Sequence, residues 1–413
     1  MTYTFLFLSF ISACTNDLEH IYNVDDFWAP GLDTRKGDKE ITLYLINPTS
    51  MGDFIGPPPV NPDYITIWIS NNPGEFTEYK KVDYLISEVL IDNLINGEPY
   101  YILVKAHKGE TISIRNEPLM VIPSAPPKTE IFFANAEFSA KKVSTSYDMS
   151  HLFFTSNNYE SSNNDRLYVM DITSGTISRI GENLTQASWS TTSNRLVYLT
   201  TKIVGNWKYP FELKLFELES NLTTTLFEIQ YNNYYVYRPK FTPDGQKIVF
   251  QSSENNSSKG IYDLWTIDPI TMEKIKITNF DDIGFYMEWD YSFSNSQEEI
   301  YLDGSLDEYG LSHDIYKYNT TTKVLTPIIE GPWASMAPTL SPNNTKIAFM
   351  SNRSGGYEIW IYDLIELKYQ QLTGEPQYKI DLRITNLQWL NNDQLLVTVI
   401  EDNKMVTIKI EVD

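Results

Sequence analysis

Apolar and polar positions alternate with a period of two along most of the chain, in short runs broken by Gly, Pro, Asn and Asp. The clearest run is Arg238-Pro239-Lys240-Phe241-Thr242-Pro243-Asp244-Gly245-Gln246-Lys247-Ile248-Val249-Phe250-Gln251-Ser252. It predicts strand, tight turn, strand. Pro243 presets φ, Asp244 bonds its own backbone, and Gly245 supplies a positive φ. After the turn, Ile248, Phe250 and Ser252 interleave with Val249 and Gln251, as in a strand covered on both faces. The pattern returns at 337–351, around Ser341-Pro342-Asn343-Asn344.

Weaker copies emerge when an apolar residue before the turn is matched with another seven positions later. Phe241 with Ile248, Leu340 with Ile347, Phe293 with Ile300 and Trp189 with Leu196 all fit; Thr145 with Leu152 is a worn copy, and Trp389 with Leu395 is one residue shorter. The anchors 145, 189, 241, 293, 340 and 389 lie 44, 52, 52, 47 and 49 residues apart. Third strands follow at 167–171, 213–216, 264–268, 315–319 and 359–363, and fourth strands at 274–277 and 369–372. Periods near this length built from strands alone point to propeller blades. The expectation is a six-bladed β-propeller over 127–413. Its last period supplies three strands, ending at Met405–Ile410, and Glu130–Ala134 is expected to complete that sheet and remove its free edge.

The Pro-x-Phe-Thr-Pro-Asp-Gly-x-Lys-Ile-x-Phe-x-Ser run resembles the repeat of TolB-type, WD40-like propellers, with good copies at 238–252 and 337–353. The resemblance implies the propeller fold and an envelope setting. It is silent on activity, because such repeats serve transporter-associated proteins, peptidases and lyases alike. The α/β domain that precedes a TolB propeller is replaced here by strands, so a Tol–Pal role does not carry over.

Residues 25–123 form their own strand series, at 40–46, 64–69 and 89–91, with turn-rich breaks such as Gly56-Pro57-Pro58-Pro59. This spacing predicts a β-sandwich. Leu94-Ile95-Asn96-Gly97-Glu98-Pro99-Tyr100 resembles the tyrosine corner of fibronectin type III domains, in which the phenol bonds upstream backbone. The strand-B tryptophan of that family is missing, with Tyr44 or Leu45 in its place. Ser124-Ala125-Pro126-Pro127 reads as a stiff linker and the sandwich as a spacer.

At the start, Met1–Ile11 is a short apolar run closed by Ser12-Ala13-Cys14. It is too short to span a bilayer but suits a signal-peptide core. Ile11-Ser12-Ala13-Cys14 resembles a bacterial lipobox, which implies lipidation of Cys14, with 1–24 as signal peptide and tether. Thr15 after the cysteine implies an outer-membrane, lipid-anchored address. A single cysteine forms no internal disulfide, which agrees with that role.

Composition narrows the partners. Of 413 residues, 42% are hydrophobic and 14% aromatic, as in a folded β-rich chain, and the net charge of −22 opposes nucleic-acid binding. His20, His107, His151 and His313 fall in separate regions without metal-ligand spacing, so no metal and no cofactor is expected. No Gly-x-Ser-x-Gly hydrolase motif occurs. Asp303-Gly304-Ser305-Leu306-Asp307 lacks the spacing of a calcium loop. No catalytic residue is therefore assigned, and a monomer is expected.

The loops expected to rim one end of the propeller channel do collect aromatics. Connections between blades hold Tyr235, Tyr237 and Arg238, then Phe285 and Tyr286, then Trp333; the loops from second to third strands add Trp207, Tyr209 and Tyr309. Aromatic platforms beside polar groups suit sugar faces or peptide segments. The expected function is a non-catalytic envelope lipoprotein binding a protein or glycan. The alternative is a polysaccharide lyase or hydrolase acting at the same mouth, with carboxylates drawn from different blades.

Overall fold

A computed structural model describes residues 30–46, 61–114, 117–134, 140–156, 165–204, 207–229, 235–254, 261–307, 313–374, 379–380, 386–402 and 404–412. Cys14 and the apolar leader lie outside the described residues. The chain is all-β: the described helical structure is one short 3₁₀ turn, Phe280–Ile283.

Two sheets build the N-terminal part. Gly31–Gly37, Glu40–Ile46 and Glu88–Ile91 form one, and Tyr64–Ser70, Thr77–Val82 and Tyr100–Lys108 with two short strands form the other. Alternation puts Ile41, Leu43, Val89 and Ile91 of the first against Ile65, Ile67, Ile102 and Val104 of the second in one core. The Tyr100 hydroxyl accepts the Ile95 N–H at 3.0 Å, the bond that the Leu-x-x-Gly-x-x-Tyr spacing predicts.

The remaining strands pair in antiparallel sheets, each open rather than closed on itself. The turns fall where the anchors place them: Phe241 pairs with Ile248, Leu340 with Ile347, Phe293 with Ile300, Trp189 with Leu196 and Trp389 with Leu395. The last sheet is completed by Thr129–Phe133, paired with Lys404–Glu411. One expectation is corrected. The first two periods share a single seven-stranded sheet, because Ile177–Trp189 runs on as one 13-residue strand. Its first half pairs with Asp165–Asp171 and its second with Arg195–Val204. No proline interrupts it, so the backbone passes from one partner to the next without a turn.

Neighbouring sheets are tied near their first strands. Bulges there, at Tyr237/Lys240 and Met336/Thr339, carry Arg238 and Ala337 at φ 52 and 53. The freed amides find side chains on adjoining sheets. Arg238 N–H donates to Gln186 Oε1, Ala337 N–H to Asp303 Oδ2 at 3.2 Å, and Thr145 N–H to Gln388 Oε1 at 3.0 Å.

The sandwich is not held by its linker alone. Gly356 N–H donates to Asp33 at 3.0 Å, Arg35 pairs with Glu358 at 3.1 Å, and Trp333 Nε1 donates to Pro118 O at 3.1 Å. Met120 and Ile122 join Phe349 and Trp360 in a common core. These polar and apolar contacts join the sandwich to the sheet beside it, in addition to the stiff linker expected at 124–127.

A repeated lock stands at or near the start of two third strands. Asp263 accepts the Thr278 hydroxyl at 2.9 Å, and Thr278 Oγ1 accepts the Leu264 N–H at 2.8 Å. Glu358 accepts Thr373 at 2.5 Å, and Thr373 accepts Ile359 N–H at 2.8 Å. Between them, Asp314 occupies the same place, but the residue at the threonine position is Glu330, after Ile329. Asp314 is buried and its Oδ1 lacks a donor. Burial first, and Glu330 second, push its carboxyl up to about 6. Glu330→Thr is expected to restore the lock and stabilise the protein by about 1 kcal/mol, read as a higher urea midpoint. An unchanged or lower midpoint would contradict this account.

Candidate functional site

Among the predicted aromatics whose side chains are described, the most exposed is Tyr235, which stands just before the strand Val236–Phe241. Its amide donates to Ser253 Oγ at 2.9 Å and its carbonyl accepts the Ser253 N–H, so the backbone is fixed while the residue stays 38% exposed. Tyr237, two residues on, shares that side of the strand. Their ring centroids are 6.1 Å apart and nearly parallel, at 5°. Tyr209, from the preceding sheet, adds a ring 6.3 Å from Tyr235 at 24°. Tyr262 closes the other end, 5.7 Å from Tyr237 and tilted by 61°. Four tyrosines thus form one row across two sheets.

Burial raises the phenols of Tyr237 and Tyr262, so both are neutral donors near neutral pH. Arg238 extends past the row with its guanidinium 5.6 Å from the Trp289 ring. Glu288, on the first strand of the next sheet, is reached by solvent, yet surrounding protein raises its carboxyl above the usual range. Its charge is felt by both Tyr262 and Asp303. Asp303 is fully buried and accepts the amides of Trp289 at 3.1 Å, Asp290 at 2.7 Å and Ala337 at 3.2 Å. Burial outweighs those donors and lifts it to about 7. It holds backbone rather than facing a ligand.

The other predicted residues divide. Phe285 is fully buried in the core with Phe280, Tyr291 and Tyr316, so it presents no ring to a ligand. Tyr286 is half-buried against the same core. Trp333 packs beneath the sandwich, with its indole N–H on Pro118. Trp207 begins the strand Trp207–Glu217 that also carries Tyr209. Tyr309 lies outside the described residues. Among the predicted residues whose side chains are described, Tyr209, Tyr235 and Tyr237 are brought into one row, with Arg238 directly after Tyr237 on the same strand.

Tyr262 and Trp289 were not singled out by sequence. A signal for Tyr262 exists: the residue before the acid in or opening each third strand is Phe211, Tyr262, His313 and Tyr357 in four successive periods. The three described histidines stay apart. His107 stacks on Tyr64 at 4.5 Å, His151 lies 3.6 Å from Asp171, and His313 is neutralised by burial. Among the described residues no cluster of three metal-ligating side chains forms.

No protein-family model matches the chain, and no curated protein matches it. Its solved structural neighbours include TolB proteins. Putative TolB from Agrobacterium tumefaciens is 13% identical with a TM-score of 0.43, over 57% of this chain and 83% of that one. TolB from Acinetobacter baumannii is 11% identical with a TM-score of 0.39, over 92% and 79%. An oligogalacturonate lyase in complex with manganese is 9% identical with a TM-score of 0.49, over 94% and 99%. Enzymes and non-enzymes therefore both occur among the neighbours.

Proposed function

We propose that this chain is a non-catalytic cell-envelope lipoprotein that binds a protein or glycan partner through the tyrosine row. In this reading 1–24 is signal peptide and tether, lipidated at Cys14 and held at the outer membrane. Residues 25–123 are a fibronectin type III-like domain, and 127–413 a six-bladed propeller. The amide bonds between first strands support a ring, since Gln388 of the last sheet reaches back to Thr145 of the first.

The observation that carries the binding role is the row of Tyr209, Tyr235, Tyr237 and Tyr262, open to solvent at Tyr235. Tyrosine combines large apolar area with a polar tip at low entropic cost, which is why it dominates recognition surfaces. Tyr209→Ala combined with Tyr235→Ala is expected to weaken capture of the natural partner by about tenfold or more, in pull-downs and on glycan arrays. Unchanged capture would defeat the assignment. A polysaccharide lyase or hydrolase is the second reading, favoured by the raised carboxyl of Glu288, as a general acid requires. Turnover of a polysaccharide, lost in Glu288→Gln, would establish that reading instead.

A further inference from the structure

The sandwich carries a pocket of its own, open to solvent and about 420 Å³ in volume. It lies where the strand Tyr64–Ser70 ends and the corner from Leu94 to Tyr100 comes alongside. Ile69, Leu94 and Tyr100, which continue into the sandwich core, give it an apolar base. Ser70 Oγ donates to Asn72 O at 2.7 Å and accepts the Asn72 N–H at 3.0 Å. That exchange pins the turn while Asn71 and Asn72 stay exposed on the pocket lining. A bulge then sets Tyr79. Ile67 pairs with Lys80 and Trp68 with Glu78, so Tyr79 falls between two rungs of the ladder. It is 38% exposed and lines the same pocket, to which Glu75 and Asn93 add a carboxylate and a further amide.

Amides, a carboxylate and a tyrosine ring around an apolar base are the groups that recognise sugar hydroxyls. An amide offers donor and acceptor side by side, which matches two neighbouring hydroxyls, and a carboxylate accepts from two. The tyrosine ring covers the C–H face of a pyranose. No lysine or arginine is among the described residues that line the pocket, and Glu75 repels a ligand anion. A metal cation would find one carboxylate, too few hard ligands to replace its water shell. The volume is that of a small-molecule site. We propose that this pocket binds a neutral hexose unit of a glycan. It shares no residue with the tyrosine row and does not rest on the role proposed for that row. The sandwich is then a recognition module in its own right.

The full chain is titrated with glucose, galactose and mannose and with the uronic acid of each, followed by saturation-transfer NMR and calorimetry. At least one neutral sugar is expected to bind, and its uronic acid to bind more weakly by about fivefold or more. Glu75→Gln should narrow that difference. Tyr79→Ala and Asn72→Ala should each weaken the neutral sugar by about fivefold or more. Both residues are exposed, so both variants should keep the wild-type urea midpoint. Failure of all three neutral sugars to bind, equal binding of acid and neutral forms, or full affinity in Tyr79→Ala would overturn the proposal. Sugar binding lost in the Tyr209/Tyr235 variant and kept in Tyr79→Ala would place the sugar at the row and overturn this site.

Discussion

Arg353→Ala is expected to cost about 3–5 kcal/mol, because it takes the charge from a fully enclosed site whose partners stay behind. The guanidinium is 1% exposed. Nε donates to Ser351 Oγ at 3.1 Å and Nη2 to Ser335 Oγ at 3.0 Å. Tyr369, Phe349, Trp360 and Trp333 surround it at 4.4, 5.1, 5.2 and 5.6 Å from their ring centroids. Burial disfavours its charge, and Tyr369, Tyr101 and Asp314 offset that. Removing it leaves two hydroxyls unpaired and opens a cavity under Trp333, the residue that carries the sandwich through Pro118. Arg353→Lys should recover little of the loss, since a single ammonium does not span the two hydroxyls as the fork does. Urea denaturation of the full chain measures both. A loss below about 1 kcal/mol for Arg353→Ala would show that the surrounding rings suffice without the charge.

The second large effect is expected at Gly304. A Cβ there would lie 2.3 Å from the Tyr286 carbonyl oxygen, 2.5 Å from Phe285 Cζ and 3.1 Å from Met287 Cα. Two of these three contacts are backbone, so no rotamer change relieves them. Gly304→Ala should destabilise the protein by about 1–3 kcal/mol or more, as overpacked cores do. The push falls on the strand that carries Trp289, the ring beside the Arg238 guanidinium, so binding at the tyrosine row should weaken as well. Thermal unfolding reads the first consequence and ligand titration of the folded protein the second. A stable variant with full affinity would mean that the first strand of this sheet yields freely.

These two residues show how far a sequence reads. Gly304 sits in a run, Asp303-Gly304-Ser305-Leu306-Asp307, that drew notice only as a failed calcium loop. Its importance comes from Phe285 and Tyr286, the last residue before the neighbouring strand and the first within it. Arg353 appeared only as the tail of the repeat at 337–353. Its surroundings come from four strands and from the sandwich. Phe285 and Trp333 illustrate the reverse error: an aromatic in a connecting loop reads as a platform, yet one is sealed in the core and the other faces the sandwich.

The period, the turn pairs and the strand that completes the last sheet follow from the chain itself, because alternation and turn chemistry act between residues near in sequence. The bond from the Ile95 N–H to the Tyr100 hydroxyl is legible for the same reason. Which ring faces water and which residues of the sandwich meet the sheet beside it depend on segments that meet only after folding. Tyr235 and Phe285 belong to the same residue class in the same kind of loop; the neighbouring sheet covers one and leaves the other open.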